Sequence, residues 1–291
     1  MKRFCVTLAL LAAILPSRVA SAGITLSDYN LITVGNLSDR SDVQGRVLVG
    51  GTLTSSLDFS GQLSGPFNPP AGIFNSLAAG VTLNDHGHGY ITGAATAPYT
   101  AGLGSYLNSV SMGYAALATT GTVDTSDANQ IKFNANPTMI NGRNVAVFSL
   151  NSSFFTTAAT ANGTVTQLNG ISASTTVVVN VLGGGTLNFG SNHLFQNFNN
   201  AANIIFNFEN ATSLTGVSNL GGAILAPLAD LNTGQTLKGS IYVNSVSNVG
   251  EIDLPAFTGF VPNVTSVPEP GSLAMLAIGA PVLAGWFRRR R

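Results

Sequence analysis

The segment TTVVVNVLGGGTLNFG, residues 175–190, decides the fold class of this chain. Consecutive β-branched residues run up to Asn180, and three glycines follow at 183–185. β-branched side chains favour strands, and glycine permits corners where a Cβ atom would clash. The segment therefore predicts two short strands joined by a tight glycine corner. No lysine follows the glycines, so turn formation explains them better than a phosphate-binding loop does.

Four further segments between residues 121 and 260 repeat this pattern: NVAVFSL (144–150), NIIFNFENATSLTGV (203–217), GGAILAPLADLNTG (221–234) and KGSIYVNSV (238–246). Their irregular spacing, roughly 15 to 25 residues, fits a solenoid with unequal rungs or a β-sandwich. Two features favour the solenoid. Asn180 and Asn207 each follow an apolar run, where their amides can bond one another and the corner backbone. The last two segments also look like successive turns of one pattern.

The first part of the chain combines strands with one helix. YNLITVGNL (29–37) and DVQGRVLVGGTLTS (42–55) are typical of short strands, and Gly50-Gly51 predicts a tight corner. Residues 60–71 form a Gly/Pro loop. Between residues 103 and 118, apolar residues recur at intervals of four and three, which is the period of one helix face. We expect this helix to pack through Leu103, Leu107, Val110, Tyr114 and Leu117.

The composition suits short strands and argues against nucleic-acid binding. Of the 291 residues 45% are hydrophobic and only 8% charged, far below the roughly 25% charged residues usual in soluble domains. Gly, Ser, Thr, Asn and Ala take their place and favour tight turns over long solvated helices. Between residues 23 and 266, eleven acidic and five basic residues give a net charge of about −6. A basic patch for nucleic acid is therefore not expected.

The N-terminus has the three parts of a secretory signal peptide. Lys2 and Arg3 supply the charged part, residues 4–15 the apolar part, and Ala20-Ser21-Ala22 the cleavage site for signal peptidase. The apolar part is short for an uncleaved anchor. Cys5, the single cysteine, lies inside this segment. The mature protein would therefore have neither disulfide nor thiol chemistry.

The C-terminus joins a Pro-Glu-Pro element to an apolar run and a basic tail. As a helix, residues 273–287 would span about 22 Å of a bilayer core about 30 Å thick, which predicts a transient membrane span. The basic tail would lie in the cytoplasm before processing. The segment resembles the PEP-CTERM sorting signal of Gram-negative bacteria through Pro268, Glu269, Pro270, Arg288, Arg289, Arg290 and Arg291. This resemblance implies an exosortase that cuts near Pro-Glu-Pro and releases or re-attaches the protein at the cell surface.

Seven pieces between the two ends cover nearly the whole mature chain and follow one another in the order found in a known family. They are YNLITVGNL, SDVQGRVLVGG, YLNSVSMGYAALA, TTVVVNVLGGGTL, IIFNFENATSL, GGAILAPLADL and LKGSIYVNSV. Together they resemble the choice-of-anchor A family, which is related to ice-binding-like adhesive domains. The resemblance implies a mainly β fold: a right-handed parallel β-solenoid (β-helix) with one helix packed alongside. With terminal signal helices added, the expected order is signal peptide (1–22), solenoid (23–266) and sorting signal (267–291).

Two polar clusters are candidates for metal binding. Asp85, His86 and His88 lie within four residues, and two imidazoles with a carboxylate can hold a divalent metal. Asp124 and Asp127 offer oxygen ligands for Ca²⁺, although without the spacing of a calcium-binding loop. Gly-rich surface loops and turns explain both clusters as well. We therefore expect no metal and no cofactor.

The sequence points to adhesion rather than catalysis. It contains no motif of a serine hydrolase, a zinc protease or a phosphate-binding loop. Glu251 and Asp253 share a strand face, but nothing around them supports hydrolase chemistry. We expect a secreted, surface-sorted adhesive or structural protein of the extracellular matrix or biofilm, which binds exopolysaccharide or another surface through many weak contacts. The alternatives are a module that binds carbohydrate or ice and, with only five cations available, a β-helix polysaccharide-active enzyme.

Processing at both ends predicts a mature protein of about residues 23–266. Intact-mass measurement of the protein exported by a host that has the sorting enzyme checks this prediction. Recovery of the arginine-rich tail in the extracellular protein would contradict it.

Overall fold

A computed structural model describes residues 24–38, 42–127, 131–156, 165–189, 200–218 and 220–263. Within them the chain is mainly β, with one helix longer than four residues. The strands are β1 (Leu31–Thr33), β2 (Asp42–Val43), β3 (Val47–Leu53), β4 (Leu57–Phe59), β5 (Gly72–Leu77), β6 (Leu83–Asn84), β7 (Tyr90–Thr92), β8 (Gly121–Asp124), β9 (Ile131–Ala135), β10 (Thr138–Ile140), β11 (Arg143–Asn151), β12 (Val165–Asn169), β13 (Thr176–Leu182), β14 (Gly184–Asn188), β15 (Ile204–Asn207), β16 (Asn210–Thr215), β17 (Ala223–Asn232), β18 (Leu237–Lys238), β19 (Ile241–Asn248) and β20 (Ile252–Asp253). The helices are α1 (Ala97–Thr100), α2 (Leu103–Ala115) and α3 (Ser153–Thr156), with 3₁₀ turns at Leu26–Asp28, Gly93–Thr96 and Ala201–Asn203. The predicted terminal signal helices lie outside the described residues.

Parallel pairing dominates the sheets. The largest sheet has the order β10-β11-β13-β15-β17-β19-β1-β3-β5-β7, with β14 and β16 attached beside β17. Along this order every neighbouring pair is parallel except β10 with β11. A second, wholly parallel sheet has the order β18-β20-β2-β4-β6, and a third has the order β12-β9-β8. The prediction of a mainly β, largely parallel chain with one helix is confirmed.

Strand β1 joins two parts of the chain that are distant in sequence. Its residues 31–33 pair with residues 241–243 of β19 on one side and with residues 47–49 of β3 on the other. In the second sheet, β2 likewise lies between β20 and β4. The strands between residues 31 and 92 thus continue a stack that the later strands form.

Both faces of the central strands β13 and β15 of the largest sheet are buried, which explains their uninterrupted apolar runs. One face of β13 and β15 contributes Val177, Val179 and Phe206 to the core between the sheets. The other face packs against α2. The predicted helix stripe is confirmed, since its first four residues are buried and Leu117, just after the helix, is half-buried against the same cluster.

Two buried asparagines attach α2 to the sheet. Asn180 of β13 and Asn207 of β15 are neighbours in register and only 4% and 1% exposed. Asn207 Nδ2 donates to Asn180 Oδ1 at 2.9 Å and to the Ser111 carbonyl at 2.9 Å, while Asn180 Nδ2 donates to the Tyr114 carbonyl at 2.8 Å. The predicted bond between the two amides is confirmed. The backbone groups they also bind belong to the end of α2, because the helix covers both strands.

Gly50 and Gly51, predicted as a tight corner, lie inside β3 at an irregularity of its pairing rather than at a turn between strands. The register of β3 against β5 shifts between Val49 and Thr52. A Cβ atom on Gly50 would lie 2.4 Å from the Val34 carbonyl oxygen, and one on Gly51 would lie 2.5 Å from the Gly35 carbonyl carbon. Glycine is required because the neighbouring chain turns at the same level.

Replacing Asn207 by Leu is expected to destabilise the fold by about 1–3 kcal/mol, because Asn180 and the end of α2 lose a buried partner. For a domain of this size the melting temperature should fall by about 2–10 °C. Calorimetry checks this, with the exposed Asn188→Leu as the matched control, expected to stay within about 0.5 kcal/mol. Equal melting temperatures for the two variants would contradict the role given to the amide pair.

Candidate functional site

Seven chain segments lie side by side, each with a polar residue followed by an apolar one, and in six of them a second polar residue follows; in the seventh, Ala78 follows Leu77. Their middle residues follow one another in register as a single column: Leu187, Leu214, Leu231, Val246, Leu37, Leu53 and Leu77. All belong to the core or pack against it. Because side chains alternate along a strand, the flanking polar residues point outward.

These outward residues form two parallel rows, which we call the polar face. The first row is Thr186, Ser213, Asp230, Ser245, Asn36, Thr52 and Ser76, and the second is Asn188, Thr215, Asn232, Ser247, Ser38 and Thr54. In the second row the register shifts after Leu231, so that Asn232 pairs with Asn248 and Ser247 lies at a bulge. At about 4.8 Å between strands, the first row extends about 29 Å and the second about 24 Å. The face presents hydroxyl and amide groups at a regular spacing.

Hydroxyls of the second row are fixed by the backbone beneath them. Thr215 Oγ1 donates to the Leu187 carbonyl at 3.5 Å, Ser247 Oγ to the Leu231 carbonyl at 3.3 Å, and Thr54 Oγ1 to the Leu37 carbonyl at 3.4 Å. Each hydroxyl uses its single proton inward, so its remaining lone-pair capacity is available to solvent. These three hydroxyls therefore offer hydrogen-bond acceptors, whereas the amides of Asn188 and Asn232 in the same row offer both donors and acceptors.

Asp230 is the one charged residue in the polar face. It is exposed, and its Oδ1 accepts from Asn244 Nδ2 at 3.0 Å and from Ser245 Oγ. Oδ2 has no hydrogen-bond partner within the described residues. The carboxylate is thus held by one oxygen and can accept from a ligand with the other.

A cleft of about 410 Å³ continues the polar face at one end. It is lined by Thr54, Ser55, Ser56, Ala79, Gly80 and Val81. Its volume lies within the range of small-molecule sites. The surface is therefore flat along the rows and concave beside Thr54.

The structure does not bring Asp85, His86 and His88 together as a metal site. His86 Nε2 contacts Asp58 Oδ1 at 2.6 Å, whereas His88 Nδ1 contacts the Gly65 carbonyl at 3.0 Å. Asp85 accepts from the backbone N–H groups of Gly87 and Gly89 at 3.0 Å each. The segment is a turn stabilised by Asp85.

Asp124 also forms a turn. Its Oδ1 accepts from Ser126 N at 3.0 Å, and hydrogen bonds from Ser126 lower the pKa of its carboxyl. Asp127 is exposed in the same turn. Among the residues that the structure describes, no three His, Cys, Asp or Glu side chains are grouped to hold a metal ion.

Several carboxylates cluster on the second sheet, whereas the polar face has one, Asp230. Glu251 and Asp253 share a face as predicted, since Gln44 Nε2 donates to both, at 3.0 and 2.7 Å. Burial, followed by the charges of Asp58 and Glu251, raises the pKa of Asp42. Burial and the charge of Glu251 likewise raise the pKa of Asp253. Asp42, Asp58, Glu251 and Asp253, which we call the acidic row, therefore repel one another across neighbouring strands.

Arg46 and Arg143 are engaged with loops. The Arg46 guanidinium lies 4.5 Å from the centre of the Tyr29 ring and donates to the Pro69 carbonyl at 2.7 Å. Arg143 Nη1 donates to the Thr258 carbonyl at 2.9 Å. Both cations hold backbone segments in place, and neither contact involves an acidic side chain.

The residues predicted for processing lie outside the described part of the chain: Ala20, Ala22, Pro268, Glu269, Pro270 and Arg288 to Arg291. Across the described ranges, no helix is long and apolar enough to cross a membrane.

Reading the sequence did not identify the individual members of the polar face. The signal is the recurring triplet, such as Thr-Leu-Asn at 186–188 and Asn-Leu-Ser at 36–38. However, Thr-Leu-Asn also occurs at 82–84, where Leu83–Asn84 belongs to the second sheet. The triplet therefore predicts alternation but not the sheet in which it lies.

Comparison with known protein families gives two matches. A family model described as "Putative Ice-binding-like adhesive domain" matches residues 23–99 and 73–254. A PEP-CTERM protein-sorting motif matches residues 266–291. No curated protein matches the chain.

The acidic row predicts that Asp42→Asn raises the melting temperature at pH 7. A raised pKa means that folding disfavours the carboxylate. The resulting loss of folding stability is fully present above the folded pKa and disappears below the unfolded pKa of about 3.9. The advantage of the variant should therefore vanish towards pH 3. Asp124→Asn is the control with the opposite sign, because the pKa of Asp124 is lowered. Melting curves from pH 3 to pH 7 check this, and a variant no more stable than wild type at pH 7 would contradict it.

Proposed function

The chain belongs to the ice-binding-like adhesive domain family and ends in a PEP-CTERM sorting motif, and on this basis we propose that it is a non-enzymatic adhesin of the extracellular matrix or biofilm. The sorting motif implies export, processing by exosortase-type machinery and delivery to the cell surface. An adhesive-domain family suggests binding rather than catalysis.

The proposed fold is a right-handed β-solenoid over residues 23–266. Each turn would have three sides. The first parts of the long strands of the largest sheet would form one side, the ends of these strands together with β14 and β16 would form the side with the polar face, and the second sheet would form the third. Parallel registers from β3 to β5 and from β4 to β6 support this arrangement. The right hand follows from the strong preference for right-handed crossovers between parallel strands.

Processing would free this domain from both ends. Signal peptidase would remove residues 1–22, and the exosortase would act on the sorting signal at 267–291. Before that step the apolar run would form a transient span with its arginine tail in the cytoplasm. The matrix, including its exopolysaccharide, would then be the surface the adhesin meets.

The observation that carries the adhesive function is the polar face. Its hydroxyl and amide groups each form weak hydrogen bonds, worth about 0.5–1.5 kcal/mol. Several such contacts to one extended surface act together, as linked binding sites do. Adhesion of this kind needs neither an activated nucleophile nor a metal.

Replacing four polar-face residues together, Thr52, Thr54, Thr186 and Thr215, by alanine should weaken retention on the biofilm matrix at least about a hundredfold, since several contacts are lost at once. The matched control replaces four exposed threonines elsewhere, Thr92, Thr122, Thr125 and Thr138. Single alanine changes at His86, His88, Glu251 or Asp253 should change retention less than about tenfold. Matrix retention of the exported protein measures all of these. A single change that abolishes retention in a folded protein would favour a localised site instead.

A further inference from the structure

We propose that the polar face binds a neutral polysaccharide and that Asp230 determines this specificity. The inference rests on the proposed adhesive function, because it assigns a ligand class to the same face.

Four residues of the face are arranged to accept hydrogen bonds from a ligand. Thr54, Thr215 and Ser247 have used their protons on backbone carbonyls beneath them. Asp230 can only accept, and its Oδ2 is exposed without a partner in the described structure. Sugar hydroxyls both donate and accept, so a polysaccharide can donate to these four residues and accept from the amides of Asn36, Asn188 and Asn232.

The charge of Asp230 argues against ice and against anionic polymers. Covering a carboxylate removes its water, which is costly unless a donor replaces that water. A sugar hydroxyl can do so through a short, charge-assisted hydrogen bond. The lattice of ice cannot rearrange around a carboxylate, and an anionic polymer would be repelled by it. The polar face has no cationic side chain to offset that repulsion.

Neighbouring residues hold Asp230 in place for this role. Asn244 Nδ2 and Ser245 Oγ both donate to Oδ1. Leu231, the next residue, is buried in the inward column and fixes the strand. The second oxygen therefore has a fixed position in the middle of the first row.

The test measures binding of the exported protein to three neutral polymers in insoluble form, cellulose, dextran and agarose. Binding to the anionic polymer alginate, and binding to ice through thermal hysteresis, are measured beside them. The expected result is binding to at least one neutral polymer, with neither alginate binding nor hysteresis. Asp230→Asn should weaken the neutral-polymer binding about tenfold, the value of one charge-assisted hydrogen bond. Asp230→Ser, which makes the row uniformly uncharged, should weaken it similarly. Glu251→Gln makes the same chemical change on the second sheet and should stay within about twofold.

The outcomes separate this inference from the adhesive proposal. If the four-threonine variant loses matrix retention while both Asp230 variants bind the neutral polymer as wild type does, the adhesive function stands and the role of Asp230 is wrong. Binding of the wild-type protein to ice or alginate instead of a neutral polymer would overturn the ligand class. If the four-threonine variant keeps full retention, the adhesive proposal itself fails. Melting temperatures confirm that each variant is folded.

Discussion

The structure depends on parallel pairing that keeps the inward column of leucines in register. Each buried leucine contributes about 1.5–3 kcal/mol through its apolar surface. A slip of one residue would expose the column and bury the polar rows. The constraint that forms the core therefore also fixes the outward side chains, so the spacing of the polar face requires no additional interactions.

Two contacts join parts of the chain that are distant in sequence. One is the pairing of β1, and the other is the amide pair of Asn180 and Asn207 beneath α2. β1 lies between the last long strand, β19, and β3. Asn180 and Asn207 hold the end of α2 against β13 and β15. The helix therefore covers an apolar sheet face that would otherwise be exposed, and the opposite face is left to form the core.

The sequence predicted local structure better than arrangement. Period and residue type were sufficient for α2 and for the amide contact between Asn180 and Asn207, whereas the corner predicted at Gly50-Gly51 is an irregularity within one strand. The place of β1 could not be predicted, because pairing across two hundred residues leaves no periodic signal. The partner of the amides was missed for the same reason. For the polar face, alternation was visible at each triplet, but which triplets share a sheet depends on the course of the chain.

The central claim is that binding spreads over an extended face. The most direct measurement is backbone and side-chain NMR of the protein during titration with a soluble oligosaccharide of the polymer it binds. The account predicts chemical-shift changes along both rows of the polar face, from Thr186 to Ser76, with the largest at Asp230. Changes confined to one compact site away from this face, such as the turn at Asp85 and His86, would contradict it.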